Sequence, residues 1–358
     1  MISLTVMIVL ASAVLVNTDV AHQLPIKQLT GITISCQGSG RIWATDAFAS
    51  ELDTLAGAGA NAVSIHPYGR IHGDGRVTYR WISGEVPDYV TRPVQEAKDR
   101  GLAMMMKPHL AYWGSPFSWR GAIKFEDPAD RARFFETYEQ WIVSLAQETR
   151  NADIFVVGTE LEGLTSFEKE WRHLIAEVRK VTAAKLTYAA NWDNYQKVPF
   201  WDALDFVGIQ AYFPLASETN PTDKTLRASW SKIMQVLDDF GEVKGKQILF
   251  TELGYNRSTR AAKEPWDYHQ ESNPEATDLQ RRCLTIALEA AEKHSSRIAG
   301  VFLWKWFVGP APHENFYLNE NHMIEVITTA WRRQGSGTSN HPGVDLGGNK
   351  TEKHNNRQ

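Results

Sequence analysis

Ile248-Leu249-Phe250-Thr251-Glu252-Leu253-Gly254-Tyr255 is an apolar run that ends in a carboxylate and a glycine. With Lys246 and Gln247 before it, it reads as a short buried strand carrying Glu252 at its C-terminal lip. Ile154-Phe155-Val156-Val157-Gly158-Thr159-Glu160-Leu161 has the same pattern. The two glutamates lie 92 residues apart, about three β/α units of roughly 30 residues each. That spacing places them on the fourth and seventh strands of an eight-stranded barrel, facing each other across its mouth. Paired carboxylates over one cleft are what glycosidic bond cleavage requires, one as acid and the other as nucleophile or base. A single glutamate at a strand end is as readily a partner for a nearby Lys or Arg. Two of them, at matching places after matching runs, favour chemistry.

The rest of the chain supplies the other six strands. They read as Gly31–Cys36, Asn61–Pro67, Leu102–His109, Leu186–Asn191, Asp205–Tyr212 and Ile298–Trp304. Helices are expected over about 46–58, 88–100, 128–149, 166–181, 223–240, 275–294 and 323–333, with Ser166 as one N-cap and Gly241 and Gly245 ending the fifth. Met104, Met105 and Met106 in the third strand read as core filling rather than a cofactor box. The count gives eight strand–helix units, an α/β chain folded as a single (β/α)8 TIM barrel with long βα loops over residues 29–334. In that fold the active site is built from residues at the C-terminal ends of the strands and from the loops that follow them.

Composition agrees with this reading. The chain has 358 residues, 43% hydrophobic and 22% charged, within the range of one large α/β barrel. A net charge of −4 without a basic block argues against nucleic acid as a partner. The 13 Trp, 11 Tyr and 15 Phe offer flat apolar faces on which sugar C–H surfaces can stack. Cys36 and Cys283 allow at most one disulfide, and no spacing resembles a zinc site. No cofactor motif is present. Residues 2–16 form an apolar run of signal-peptide length, with Ala11-Ser12-Ala13 as the best cleavage pattern. We expect a leader over residues 1–28 and a secreted or periplasmic enzyme; an N-terminal anchor and an artefactual upstream start are the rival readings. Residues 335–358, rich in Gly, Ser, Asn and His, are expected to form a disordered polar tail.

The strand ends nominate the site. Glu160 and Glu252 are the catalytic candidates. His66, Lys107, His109, Asn191, Trp192, Tyr212 and Trp304 stand at lips, and Trp119 lies in the aromatic loop Tyr112–Gly121. Tyr212, beside the seventh strand, is placed to donate to Glu252. Of Trp304 and Trp306, one is expected to face the mouth and one to pack outward, with Trp304 as the sugar platform. Glu162 is a rival acid on the same strand end as Glu160, and the longest loop, Asn256–Asn273, carries Trp266 and Tyr268.

Several collinear motifs resemble glycoside hydrolase family 113. They are Val157-Gly-Thr-Glu-Leu161, Leu186-Thr-Tyr-Ala-Ala-Asn-Trp-Asp193, Phe200-Trp-Asp-Ala-Leu-Asp205, Gln210-Ala-Tyr-Phe-Pro214, Leu249-Phe-Thr-Glu-Leu-Gly-Tyr255 and Trp304-Lys-Trp306. With Lys107-Pro-His109 and Trp119-Arg-Gly121, the resemblance spans about residues 31–332. It implies a retaining (β/α)8 hydrolase of β-1,4-mannan, with Glu160 as general acid/base and Glu252 as nucleophile. Most of the wider clan has Asn before the acid/base, contacting the sugar 2-hydroxyl; here that residue is Thr159. Rival readings are an exo-acting β-mannosidase, a hydrolase of another β-glycan and a non-catalytic carbohydrate-binding barrel. A metal-dependent hydrolase ranks below them, since His66 and His109 belong to no His-x-His cluster.

Overall fold

The computed structural model describes residues 28–82 and 84–336. The expected leader, apart from Gln28, and residues 337–358 of the expected tail lie outside this range. Eight parallel strands close into a barrel: β1 (Leu29–Ser35), β2 (Ala62–Ile65), β3 (Ala103–Met106), β4 (Ile154–Thr159), β5 (Lys185–Asn191), β6 (Val207–Gln210), β7 (Ile248–Leu253) and β8 (Ile298–Phe307). Each strand pairs with its sequence neighbours, and β8 closes onto β1. This is the expected (β/α)8 barrel.

Alternation along the strands divides the core in two. Leu29, Ala62, Ala103, Met105, Ile154, Val156, Ala189, Phe206, Leu249 and Phe302 form one buried cluster with a contribution from every strand or its edge, so they fill the barrel interior. The intervening residues, such as Val63, Met104, Met106, Phe155, Val157 and Phe250, join the larger cluster between barrel and helices. All three methionines are buried core.

Among the described residues, seven α-helices surround the strands: α1 (Asp46–Gly57), α2 (Asp88–Asp99), α3 (Pro128–Glu148), α4 (Glu168–Val181), α5 (Asp223–Lys244), α6 (Pro274–Lys293) and α7 (Asn321–Ser336). Asp127 caps α3 and Asn273 caps α6, each followed by proline in the first turn, where a missing N–H costs nothing. Three expectations need correction. The count of eight strand–helix units is one helix too many: the connection from β5 to β6, to which the sequence assigns no helix, holds only the 3-10 turns Tyr195–Lys197 and Trp201–Ala203. Ser166 does not cap α4, which starts at Glu168 after Phe167 with no side-chain cap. Gly241 does not end α5; a Cβ there would meet the Arg297 side chain at 2.6 Å and the Lys246 carbonyl at 2.9 Å, so this glycine permits close packing. The stop comes at Gly245, in the left-handed region at φ 63°.

Two strands are shorter than expected for a shared reason. Pro67 and Pro108 follow β2 and β3 at equivalent places, and proline has no N–H for the barrel ladder. Beyond the prolines the chain forms a separate three-stranded sheet from Tyr68–Ile71, Val77–Thr78 and His109–Ala111, with Tyr68 paired to His109. His66 and Lys107, the residues before the prolines, are thereby held at the barrel lip.

Candidate active site

A cavity of about 470 Å³ opens at the C-terminal ends of the strands, with Glu160 and Glu252 both in its wall. Its volume falls within the usual range for small-molecule sites. Glu252 lies inside β7 and is 4% exposed. The Lys107 ammonium pairs with its Oε1, and the Tyr212 hydroxyl donates to its Oε2 at 2.6 Å. His109 Nε2 stands 3.7 Å from Oε1. Burial lowers the pKa of Lys107, while Glu252 acts in the opposite direction. Burial, then the Glu252 charge, holds the Tyr212 hydroxyl well above its ordinary pKa, so it stays a proton donor. Burial and nearby cations, Lys107 for His66 and Arg120 for His109, hold both histidines well below theirs, leaving neutral rings.

Glu160 directly follows β4 and takes φ 57°, a left-handed conformation uncommon for a side chain without special local support. Such backbone costs about 1–3 kcal/mol and persists only where its surroundings impose it. Here its N–H donates to the Ala189 carbonyl of β5 at 2.9 Å. Arg120 donates to Oε2 from Nε at 2.9 Å and from Nη2 at 2.5 Å, and Gln210 donates to Oε1. The Glu160 pair keeps Arg120 charged against the opposing effect of its burial.

Arg120 reaches the site because two loops meet. Gly163, after β4, lies so close to the loop after β3 that a Cβ would sit 2.4 Å from the Ile123 carbonyl oxygen. In the β3 loop, Gly121 leaves room for the Trp119 ring, which a Cβ would approach to 2.1 Å. Arg120 lies between these contacts.

The expected substrate contacts divide into two groups. Trp119, Asn191, Trp192, Tyr212 and Trp304 line the cavity with the two glutamates. His66, Lys107 and His109 do not: they are 0–2% exposed, and the His66 and His109 rings stack on one another at 5.0 Å beneath Trp304. The turn imposed by Pro67 and Pro108 directs them under the floor, where Lys107 and His109 face Glu252 and His66 meets the Ser35 hydroxyl at 3.0 Å. Trp304 and Trp306 part company at a bulge, where consecutive residues Thr33 and Ile34 of β1 pair with Trp304 and Trp306. Trp304 faces the cavity, and Trp306 donates to Glu51 of α1 at 2.9 Å. Glu162, also in the wall, accepts from Asn191 at 2.6 Å, and burial raises its pKa. Cys36 and Cys283 are both free thiols.

Sequence reasoning did not assign site roles to Arg120, Gln210, Tyr112, Trp266, Tyr268 and Phe316. The signal for Arg120 was its place between Trp119 and Gly121 in a long aromatic loop, and Gln210 was visible as a lip residue of β6.

A (β/α)8 barrel with two glutamates and several aromatic rings in one cavity at its C-terminal mouth has the architecture of a glycoside hydrolase. The Glycoside Hydrolase Family 113 profile matches residues 32–325, and the chain belongs to that family. No curated protein matches it. Among solved structures, it is similar to the GH113 β-mannanase AaManA from Alicyclobacillus acidocaldarius, at 24% identity and TM-score 0.74, covering 87% of this chain and 99% of that one. A second GH113 β-1,4-mannanase is 21% identical at TM-score 0.73, covering 86% and 99%. The endoglucanase Cel5A from Thermotoga maritima is 14% identical at TM-score 0.54, covering 83% and 97%. At these identities the structural likenesses show the fold, and the family match identifies a glycoside hydrolase.

Proposed function

We propose that this enzyme hydrolyses β-1,4-linked mannan or manno-oligosaccharides by double displacement, with Glu252 as nucleophile and Glu160 as general acid/base. The observation that carries the reading is the pair of glutamates at the ends of β4 and β7 in the wall of one aromatic cavity. The contacts of Glu252 suit the role given to it. A nucleophile must have its carboxylate held towards the substrate, and the Lys107 ammonium and Tyr212 hydroxyl each grip one oxygen of Glu252. Glu160 stands on the other side of the barrel, where a proton could pass to a departing glycosidic oxygen. In the first half-reaction Glu252 would attack the anomeric carbon as Glu160 protonates the leaving group; in the second, Glu160 would take a proton from the incoming water.

Mannan is supported by family membership and by the β-1,4-mannanase named among the similar structures. One observation favours the second reading, another β-glycan. Thr159 is 1% exposed and donates to the Pro108 carbonyl at 3.0 Å, so it offers nothing to a sugar 2-hydroxyl, the group whose orientation separates mannose from glucose. We also retain export to the periplasm or medium from the residue 2–16 pattern, to be checked by N-terminal sequencing of the mature chain.

The test is product release from mannan, glucomannan, cellulose, xylan and chitosan oligosaccharides, with Glu160→Gln and Glu252→Gln beside the native enzyme. Turnover of manno-oligosaccharides, with first-formed products of retained anomeric configuration by NMR, is the expected result. Inverted products would discard double displacement. Activity confined to another glycan would discard mannan and keep the carboxylate pair.

A further inference from the structure

The absence of a helix between β5 and β6 has left a second cavity on the barrel flank. It has a volume of about 290 Å³ and lies between the 3-10 turn that replaces the helix and the outer face of α5. Tyr195 and Gln196 of the turn, Phe213 after β6, and Lys232, Ile233 and Val236 of α5 line it, Val236 lying one turn beyond the other two at i+4 from Lys232 and i+3 from Ile233. Trp192 and Asp193 stand in its wall and also in the wall of the catalytic cavity. The two spaces are therefore neighbours that share the residue pair Trp192 and Asp193.

Trp192 is a fixed divider. Its ring stacks on Trp266 at 5.5 Å and 19°, and it meets the edge of Phe213 at 6.1 Å. On the flank, apolar surface from Trp192, Phe213, Ile233 and Val236 adjoins polar groups from Asp193, Gln196 and Lys232. Val236 is 48% exposed, and Gln196, Lys232 and Asp193 are exposed beside it. Apolar surface for the C–H face of a pyranose, bordered by donors and acceptors for its hydroxyls, is the chemistry of sugar recognition.

We propose that this flank cavity is a distal subsite that binds a sugar unit of a β-linked glycan chain whose cleaved bond lies between Glu160 and Glu252. The proposal rests on the glycan-hydrolase reading above and extends it: the enzyme holds a chain longer than the catalytic cavity can contain, and so prefers polymer to short substrates. The occupant follows from adjacency, since a chain that leaves the catalytic cavity past Trp192 would meet this space next.

The test uses Val236→Glu and Lys232→Ala in the full chain. Both residues are exposed on α5 and belong to no catalytic group, so folding and chemistry should persist. For each variant, kcat/KM is measured on a short aryl glycoside, a trisaccharide, a hexasaccharide and the polymer. The expected result is a loss of about three- to tenfold on hexasaccharide and polymer through KM, as removal of a modest contact gives, with the aryl glycoside and trisaccharide unchanged. No loss on long substrates, or an equal loss on all of them, overturns the subsite while leaving the hydrolase reading intact. Should the native enzyme turn over none of these, calorimetry with the hexasaccharide decides: weaker binding by Val236→Glu than by native protein supports the subsite, and equal or absent binding overturns it.

Discussion

Arg120 and Glu160 form a charge-assisted pair in which both guanidinium donors converge on Oε2, while Gln210 holds Oε1. Both side chains are 15% exposed, so the pair is largely removed from water. Removing one partner of such a pair leaves an uncompensated charge and costs about 3 kcal/mol or more. Glu160→Gln is therefore expected to lower the unfolding free energy by about 3 kcal/mol in urea titrations, and adding Arg120→Met should recover most of that loss. A Glu160→Gln protein as stable as the native one would show that the pair is not held in solution. The arrangement also bears on catalysis: Oε2 takes both guanidinium bonds, so Oε1, which accepts from Gln210 alone, is the oxygen with a lone-pair position left for a glycosidic oxygen.

Tyr212 makes the corresponding contact with the other carboxylate, 2.6 Å from Glu252 Oε2. A hydrogen bond to a charged group contributes about 1.5–3 kcal/mol. In the double displacement proposed above, this donor would assist release of the Glu252 carboxylate from the glycosyl-enzyme. Tyr212→Phe is expected to lower kcat about 10- to 150-fold. With an activated aryl β-glycoside, stopped-flow measurement should show a burst of aglycone followed by slow turnover. A linear time course with the same loss would place the effect in the first step.

The apolar runs and the 92-residue interval between two similar strands made the barrel and its two glutamates legible in the sequence. An apolar run reports burial, however, and not which neighbour a residue meets. His66, Lys107 and His109 were read as lip residues open to substrate, yet proline at positions 67 and 108 turns the chain and places them beneath the floor. Arg120 escaped notice because its site partner lies 40 residues on, in a different loop, and only the close approach at Gly163 joins them. Counting strands gave eight strand–helix units although the sequence shows helical patterning after only seven of them, and the connection after β5 indeed carries 3-10 turns instead.

The two buried histidines set an acid limit on stability. His66 and His109 have pKa values well below the ordinary 6.5 in the folded chain, so their contribution is fully present above pH 6.5 and is lost as pH falls below it, when the unfolded chain gains protons that the folded chain does not. Each neutral histidine then costs about 1.4 kcal/mol per pH unit. Urea titrations between pH 7 and about pH 4.5 are expected to show this slope for both residues, with His66→Asn removing about one proton's share. An unchanged slope in that variant would mean that His66 is not held neutral.

Trp119 is 39% exposed in the cavity wall, and its position depends on a residue with no side chain. A Cβ on Gly121 would lie 2.1 Å from the ring, closer than any real contact, and the exposed ring has space to swing away. Gly121→Ala should therefore displace the platform without disturbing the core. Its expected effect is that of Trp119→Ala: a KM on oligosaccharides raised about three- to tenfold, with kcat on a short aryl glycoside little changed. The double variant should be no worse than either single one, since both remove the same contact. Additive losses in steady-state kinetics would show instead that Gly121 acts through Arg120, its other neighbour in the loop, and a fall in kcat on the aryl glycoside would accompany them.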